Sequence, residues 1–394
     1  MVAQRLTRAA GPSNFVSRLG GDEFAILIKN QDDAERPDAL ARSVLQSLSG
    51  SVALSGGEVS LGGSMGICRI PNDTQNPQEA MRFADLALYA AKENGRNRFE
   101  YFNEGLSDAV RARMSLAVDL RHAVDAQELE THFQPLVDIK KGEVSGFETL
   151  VRWKHPTRGY IPPSEFVPIA ESSHLIAEIG AFVMYDACRR AKDWLDQGLP
   201  RREVAVNVSA AQILHGDLDS LIESVLERTK LPPELLCVEL TETVFASESL
   251  ARLERVLTGL KARGLTLALD DFGTGYSSLG YLNRLPFDKL KIDRCFVASA
   301  DTNPEKRRLL EGIVGLARGL GMKIVAEGVE TEQELALISE LGCDVVQGYL
   351  YSRPLIEKDA VLRAGEIDMQ LKARGLLTPS SKPSVRRRRA GGRR

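Results

Sequence analysis

The run V-A-V-N-V-S at 204–209, the helical pattern over 218–230 and the run L-C-V-E-L-T at 236–241 decide the fold. Two short β-rich segments flanking a helix make the rhythm of parallel strands joined by crossover helices. In the next helical run, 250–264, Leu250, Leu253, Val256, Leu257 and Leu260 recur at three- and four-residue steps and Gly264 ends the pattern. The cycle continues through β segments at 265–269, 289–292, 324–326 and 345–347, with a helical run at 305–320. Upstream, 132–138 and 144–152 bring the count of β segments to eight. Eight such units over about 250 residues predict an α/β fold, a TIM-type (β/α)8 barrel.

The whole chain, 394 residues, is longer than one such barrel. Residues 14–29 read as two strands flanking Gly20-Gly21, a hairpin turn signal, followed by a helical pattern, a strand over 59–68 and a helix ending in 92–98. An amphipathic stretch over 108–126 reads as a connecting helix. The expected organisation is a smaller α+β domain over 1–105, a linker helix over 106–118, the barrel over 119–367 and a basic tail over 368–394. The tail is Pro/Ser/Arg-rich without apolar period and reads as disordered.

Composition is that of a globular chain, 43% hydrophobic and 27% charged, which excludes collagen, coiled coil and wholesale disorder. No apolar run approaches the ~18 residues that span a bilayer. Five widely spaced cysteines without a C-x-x-C pair argue against a disulfide framework and a zinc site and fit a reducing cytoplasm. Net charge is -3, yet residues 378–394 hold seven cations and no acid, so the body is acidic and the tail basic. The tail could touch anionic surfaces, but no aromatic residues interleave, so no specific nucleic-acid site is expected.

In a barrel of this type functional side chains project from the C-terminal strand ends. Glu148 lies in the second β run; Asn207 closes the third, Glu239 the fourth, Asp270 and Asp271 the fifth, Lys291 the sixth, Glu327 the seventh and Gln347 the eighth. Five carboxylates, two amides and a lysine on one rim are costly without cations between them. Hard oxygen ligands in that number imply Mg2+ or Mn2+, two ions, with Asp270-Asp271 able to bridge and flank the pair. Such a site suits in-line attack of an activated water on a phosphodiester.

These residues carry a resemblance. F-E-T-L-V-R-W at 147–153 resembles the signature of EAL-domain cyclic-di-GMP phosphodiesterases, which are TIM-type barrels. The likeness extends through H-F-Q-P-L-V at 132–137, N-V-S at 207–209, E-L-T-E at 239–242, D-D-F-G-T-G-Y-S-S-L at 270–279, K-I-D at 291–293, A-E-G-V-E at 326–330 and Q-G-Y at 347–349. The resemblance implies hydrolysis of cyclic-di-GMP to linear pGpG. It implies that Glu148, Asn207, Glu239, Asp270, Asp271 and Glu327 hold the metals, with Glu148 and Glu327 counted also among the catalytic groups. Lys291 would orient or help deprotonate the attacking water, and Glu242 would anchor the 270–279 loop. Gln134 and Arg152, with Gln347, would contact substrate; a guanidinium fork suits a phosphate. Residue 149 departs from the signature: Thr149 replaces its alanine, and reduced activity at most is expected.

The N-terminal segment is similar to a GGDEF (diguanylate cyclase) domain through R-L-G-G-D-E-F at 18–24, S-M-G-I at 64–67 and A-D-L-A-L-Y-A-A-K-E-N-G-R-N-R at 84–98. The resemblance implies that Asp22 or Glu23 serve metal and hydroxyl activation and that Lys92 and Arg96, one helical turn apart, clamp phosphates. Only 19 residues precede Gly20, too few for the family's first metal-binding strand, and its product-inhibition motif would fall on G-P-S-N at 11–14. Cyclase activity from this chain is therefore not expected. The expected protein is a cytoplasmic phosphodiesterase acting on cyclic-di-GMP, dimeric through the barrel. A catalytically silent receptor for the same dinucleotide is the alternative, set against it by the completeness of the ligand set.

Overall fold

The computed structural model describes residues 2–29, 36–49, 51–54, 57–60, 62–93, 95–246, 250–273 and 279–373. The chain divides into two compact units, residues 1–118 and 119–394. The division falls within one helix, Glu104–Ala126, which starts four residues earlier than the connecting helix read from the sequence.

In the first unit, helix α1 (Val2–Ala10) precedes the hairpin of β1 (Phe15–Gly20) and β2 (Glu23–Leu27), paired antiparallel with Gly21 in the turn at φ 51. Helix α2 (Arg36–Leu48) is followed by a second antiparallel pair, β3 (Ser51–Leu54) and β4 (Gly57–Ser60). Strand β5 (Met65–Ile67) pairs in parallel with β6 (Phe99–Tyr101) across helix α3 (Pro77–Glu93), and α4 (Glu104–Ala126) follows. The single strand expected over 59–68 is thus two separate strands. The helix expected to reach residue 98 stops at Glu93, because Gly95, Arg96 and Asn97 all have positive φ. Lys92 and Arg96 therefore do not share a helix face, contrary to the sequence reading.

The second unit is a closed barrel. Its strands are β7 (Leu129–Asp138), β8 (Glu143–His155), β10 (Glu203–Asn207), β11 (Leu236–Thr241), β12 (Thr266–Phe272), β13 (Lys289–Ile292), β14 (Lys323–Ala326) and β15 (Val345–Val346). The hydrogen-bonded order runs β10-β11-β12-β13-β14-β15-β7-β8 and closes through β8 on β10, while β9 (Gly159–Ile161) extends β8 outside the ring. The surrounding helices are α5 (Pro163–Ser172), α6 (Ile176–Asp196), α7 (Ala210–His215), α8 (Leu218–Thr229), α9 (Leu250–Ala262), α10 (Leu279–Leu282), α11 (Arg294–Val297), α12 (Pro304–Gly319), α13 (Glu332–Leu341) and α14 (Glu357–Ala373).

The expected barrel is present, with one correction to its expected uniform parallel course. Strand β7 runs antiparallel to both neighbours, β8 and β15. Only four residues, 139–142, link β7 to β8, far fewer than a parallel crossover needs. Asp138 accepts from the backbone of Lys140 and Lys141, and Gly142 at φ 67 closes the turn. A second difference lies at the C-terminal end, where α14 runs six residues beyond the expected boundary at 367. Leu371 is buried there, and Asp368 accepts from Val144 N and pairs with Arg202 at 2.6 Å. The arginines at 386–389 lie outside the described residues.

Period-2 alternation explains how the barrel presents its chemistry. Ala205, Cys237 and Ala268 form one buried cluster, and Leu136, Val325 and Val345 another. Two residues further along the parallel strands stand Asn207, Glu239, Asp270, Glu327 and Gln347. On antiparallel β7 the same step runs backwards, from Leu136 to Gln134, and Gln134 pairs in register with Glu148 of β8.

Candidate functional site

At the centre stands Lys291, a fully buried ammonium surrounded by carboxylates. Its Nζ lies 2.7 Å from Glu327, 2.8 Å from Glu239, 3.1 Å from Asp270 and 3.4 Å from Glu148. Glu239 is 2% exposed and Glu148 and Asp270 each 6%, so this cluster is largely removed from water. Asp271, half-buried, follows Asp270 with the left-handed φ of 54, a conformation that Asp tolerates better than most residues. Asp270 Oδ1 accepts from the Asp271 backbone N–H at 2.9 Å.

The amides form a second layer. Gln347 Nε2 donates to Glu148 Oε2 at 2.6 Å and to Gln134 Oε1 at 3.0 Å, while Asn207 Nδ2 donates to Glu148 Oε1 at 2.8 Å. Gln134 in turn donates to Ser352 O, and Gln347 Oε1 is buried without a hydrogen-bond partner among the described residues. Arg152 is half-buried and donates to the carbonyl of Val151 at 2.9 Å. Among the described residues no carboxylate pairs with its guanidinium, and Glu148 and Tyr349 act on it only at longer range. Glu242, 2% exposed at the head of the 3-10 turn Glu242–Ala246, accepts from Gly273 N at 3.2 Å. Residues 274–278 of the loop that Glu242 was expected to anchor lie outside the described residues.

The electrostatics follow from crowding. Burial works to raise Glu148, but the Lys291 ammonium and the amides of Gln347 and Asn207 outweigh it and hold the carboxyl below its usual range. For Glu239, burial together with Glu148 and Asp270 wins over Lys291 and pushes the carboxyl up to about 8. Burial, then Asp270 and Asp293, raise Asp271 to about 6. Glu327 goes well above its usual range through burial, Asp270 and Glu148. Lys291 goes the other way: burial disfavours its charge, yet four carboxylates raise it well above an ordinary lysine.

One ammonium cannot neutralise five carboxylates. Ligand atoms of Glu148, Glu239 and Asp270 lie within 4.8 Å of one another, as do those of Asp270, Asp271 and Glu327, and Asp270 belongs to both groups. All are hard oxygen donors, of the kind that Mg2+, Mn2+ or Ca2+ prefer. The donor set fits divalent cations, and the raised Glu239, Asp271 and Glu327 are the groups that such charge would return to the ionised state.

Sequence reasoning placed Asn207, Glu239, Asp270, Asp271, Lys291, Glu327 and Gln347 at the closing ends of β runs and Glu148 within one, and took Gln134, Arg152 and Glu242 from the resemblance; it passed over Asp293, which K-I-D at 291–293 contains and which acts electrostatically on Asp271. In the first unit, Asp22 and Glu23 occupy the tip of the β1–β2 hairpin, Lys92 the end of α3, and Arg96 the turn after it.

The family model of the EAL domain matches residues 117–354, and that of the diguanylate cyclase, GGDEF domain, matches residues 1–98. The chain is 40% identical over 354 residues to the bifunctional diguanylate cyclase/cyclic di-GMP phosphodiesterase MucR of Pseudomonas aeruginosa, spanning 90% of this chain and 51% of that protein. It is 36% identical over 358 residues to the cyclic di-GMP phosphodiesterase NbdA of the same organism, 90% of this chain and 45% of that one. The chain thus spans about half the length of the curated relatives it matches. Among solved structures, the PaMucR phosphodiesterase in complex with c-di-GMP superposes with a TM-score of 0.60 at 42% identity, covering 62% of this chain and 99% of that one.

Proposed function

This chain belongs to the EAL domain family, and on that premise we propose that its barrel hydrolyses the bacterial second messenger cyclic-di-GMP to linear pGpG with Mg2+ or Mn2+. The observation that carries the reading is the convergence of Glu148, Glu239, Asp270 and Glu327 on Lys291 at one end of the barrel, with Asp271 at metal-ligand spacing from Asp270 and Glu327. In this reading the barrel, 119–367, carries the hydrolysis, 1–105 forms a GGDEF-like domain and 106–118 links the two. No helix among the described residues is long and apolar enough to cross a membrane.

Glu148, Asn207, Glu239, Asp270, Asp271 and Glu327 would hold two divalent cations. Such ions supply charge neutralisation and Lewis acidity for in-line displacement at phosphorus. The chain's own groups do the rest. Arg152, half-buried and without a carboxylate partner among the described residues, offers its fork to a phosphate. Gln134 and Gln347 present amide groups beside Glu148, and the unpartnered Gln347 Oε1 is an acceptor for substrate N–H or O–H. Lys291, within 2.7–3.4 Å of four carboxylates, would hold charge beside them and orient or help deprotonate the attacking water. In the reaction a water oxygen bonds to phosphorus, the bond to the ribose 3′ oxygen breaks, and that oxygen leaves with a proton.

The test is incubation of the purified chain with cyclic-di-GMP and Mn2+, followed by product identification. The expected product is pGpG, abolished by excess EDTA. Binding of cyclic-di-GMP without conversion would replace this reading with that of a silent receptor.

A further inference from the structure

The short helix α11 touches the site from behind on both sides. It begins directly after β13, with Asp293 Oδ1 accepting from Cys295 N at 2.9 Å. Its Phe296 packs against Gly273, two residues beyond Asp271: a Cβ at Gly273, where φ is 98, would stand 2.5 Å from the Phe296 ring. Its Arg294 lies over Gly328, the residue after Glu327, where a Cβ would stand 2.3 Å from Arg294 Cγ. The Arg294 guanidinium continues to Glu330 at 2.9 Å. A single turn therefore braces the chain just past Asp271 and just past Glu327.

What fixes this turn is a carboxylate on α13. Glu334 is 8% exposed, and its Oε1 accepts from Ser299 N at 3.2 Å, at the exit of α11 where Ser299 has a φ of 62. Its Oε2 accepts from Glu330 N at 2.8 Å and Thr331 N at 3.1 Å. The Thr331 bonds form an ordinary capping box. The bond to Ser299 does not; it reaches across to the loop that follows the neighbouring strand. Burial alone would raise this carboxyl, but the three N–H donors hold it below the usual range, consistent with an ionised clamp.

We propose that Glu334 is a positioning residue for the metal site. By tying Ser299 to Glu330 and Thr331 it locks the turn 294–297 against Gly273 and Gly328, and so sets the separation of Asp271 from Glu327. The inference rests on the reading above that these carboxylates hold divalent cations.

Glu334→Gln separates this role from helix capping. The amide oxygen still accepts from Glu330 and Thr331, whereas the amide nitrogen meets Ser299 N–H donor to donor. Thr331→Ala does the reverse, deleting the helix cap and leaving the carboxylate. Mn2+ binding to the full chain without substrate, read from the EPR signal of free Mn2+, is expected to weaken about tenfold in E334Q, with KM for cyclic-di-GMP within about twofold of wild type. T331A is expected to lower Tm and leave Mn2+ affinity within about twofold. Should E334Q fail to fold, Phe296→Ala, which removes the brace under Gly273, is expected to weaken Mn2+ binding likewise. Unchanged Mn2+ affinity in E334Q, or in F296A where that variant carries the test, overturns the proposal, and so does an equal loss in T331A. If wild type binds Mn2+ without hydrolysing cyclic-di-GMP, the functional reading fails and the EPR comparison still decides this one; if wild type binds no Mn2+, both fail.

Discussion

The two units handle strand edges in opposite ways. In the barrel, each of the eight ring strands has a hydrogen-bonded neighbour on both sides, and β11, β12 and β13 are buried over most of their length. The first unit has, among the described residues, three separate two-stranded sheets, and the β1–β2 hairpin leaves Phe15, Leu19 and Leu27 each more than half exposed. A closed ring can hold like charges at its mouth because the strands beneath cannot move apart. A two-stranded ribbon has no such rigidity and is marginal by itself. The same chain therefore offers one place where costly chemistry can be preorganised and another where it cannot.

The sharpest way to break that comparison is to remove one acid from each unit. Glu148→Ala or Asp270→Ala is expected to reduce hydrolysis to the no-enzyme level, since each belongs to a carboxylate group with metal-ligand spacing. Glu23→Ala, at the hairpin tip, is expected to leave hydrolysis unchanged, and the chain is expected to make no cyclic-di-GMP from GTP. Turnover surviving Asp270→Ala, or cyclase product from the intact chain, measured by chromatography, would undo the division of labour.

Next in size is the support of the Asp270–Gly273 segment. Glu242→Ala removes the carboxylate that accepts from Gly273 N and is expected to weaken metal affinity and kcat together by about 10- to 100-fold. A normal kcat at ordinary Mg2+ would mean the ring alone holds this segment. Proteolysis addresses the other unit: cleavage is expected first within residues 1–118 and only later in the barrel, because β1, β2, β5 and β6 contain no buried residue.

Most of the barrel site was legible in the sequence because a buried strand has one readable period. Asn207, Glu239, Asp270, Glu327 and Gln347 each follow an apolar run at or near the C-terminal end of a strand. What escaped notice was of a different kind. The antiparallel course of β7 hung on the four-residue link 139–142, whose turn signal competed with a strong α/β rhythm. Lys92 and Arg96 looked like helical neighbours because spacing says nothing of the positive φ at Arg96. Glu334 went unread; locally it is only the last residue of T-E-Q-E at 331–334, and its bond to Ser299, 35 residues earlier, is tertiary and leaves no local trace.

A smaller effect tests the electrostatic side of the comparison. Glu239, raised to about 8, and Asp271, raised to about 6, bind protons in the folded metal-free protein that the unfolded chain releases near pH 4. The folded state then carries more protons between about pH 4 and 8, so the contribution of these groups to stability falls as pH rises through that window. Stabilisation by Mn2+, read as the shift in Tm on adding metal, is therefore expected to grow from about pH 5 to 8. The dependence should flatten in Glu239→Gln. A metal-induced shift independent of pH would mean that cations do not compete with protons for these oxygens.

The smallest expected effect concerns Thr149, beside Glu148 in β8 yet on the opposite face of the strand. Its hydroxyl is buried, 2% exposed for the residue, and has no hydrogen-bond partner among the described residues. An unsatisfied buried hydroxyl costs about 1–3 kcal/mol. Thr149→Val keeps the branched shape and removes the polar atom, so it is expected to stabilise the barrel by about 1–2 kcal/mol, a rise in Tm of a few degrees. Thr149→Ala should gain less, because it also forfeits a buried methyl worth about 0.8 kcal/mol. Since the side chain points away from Lys291 and the carboxylates, kcat should stay within about twofold in both variants. A lower Tm for Thr149→Val would show that the hydroxyl has found a partner, and a large change in kcat would show that the two faces of β8 are coupled more tightly than a rigid ring allows.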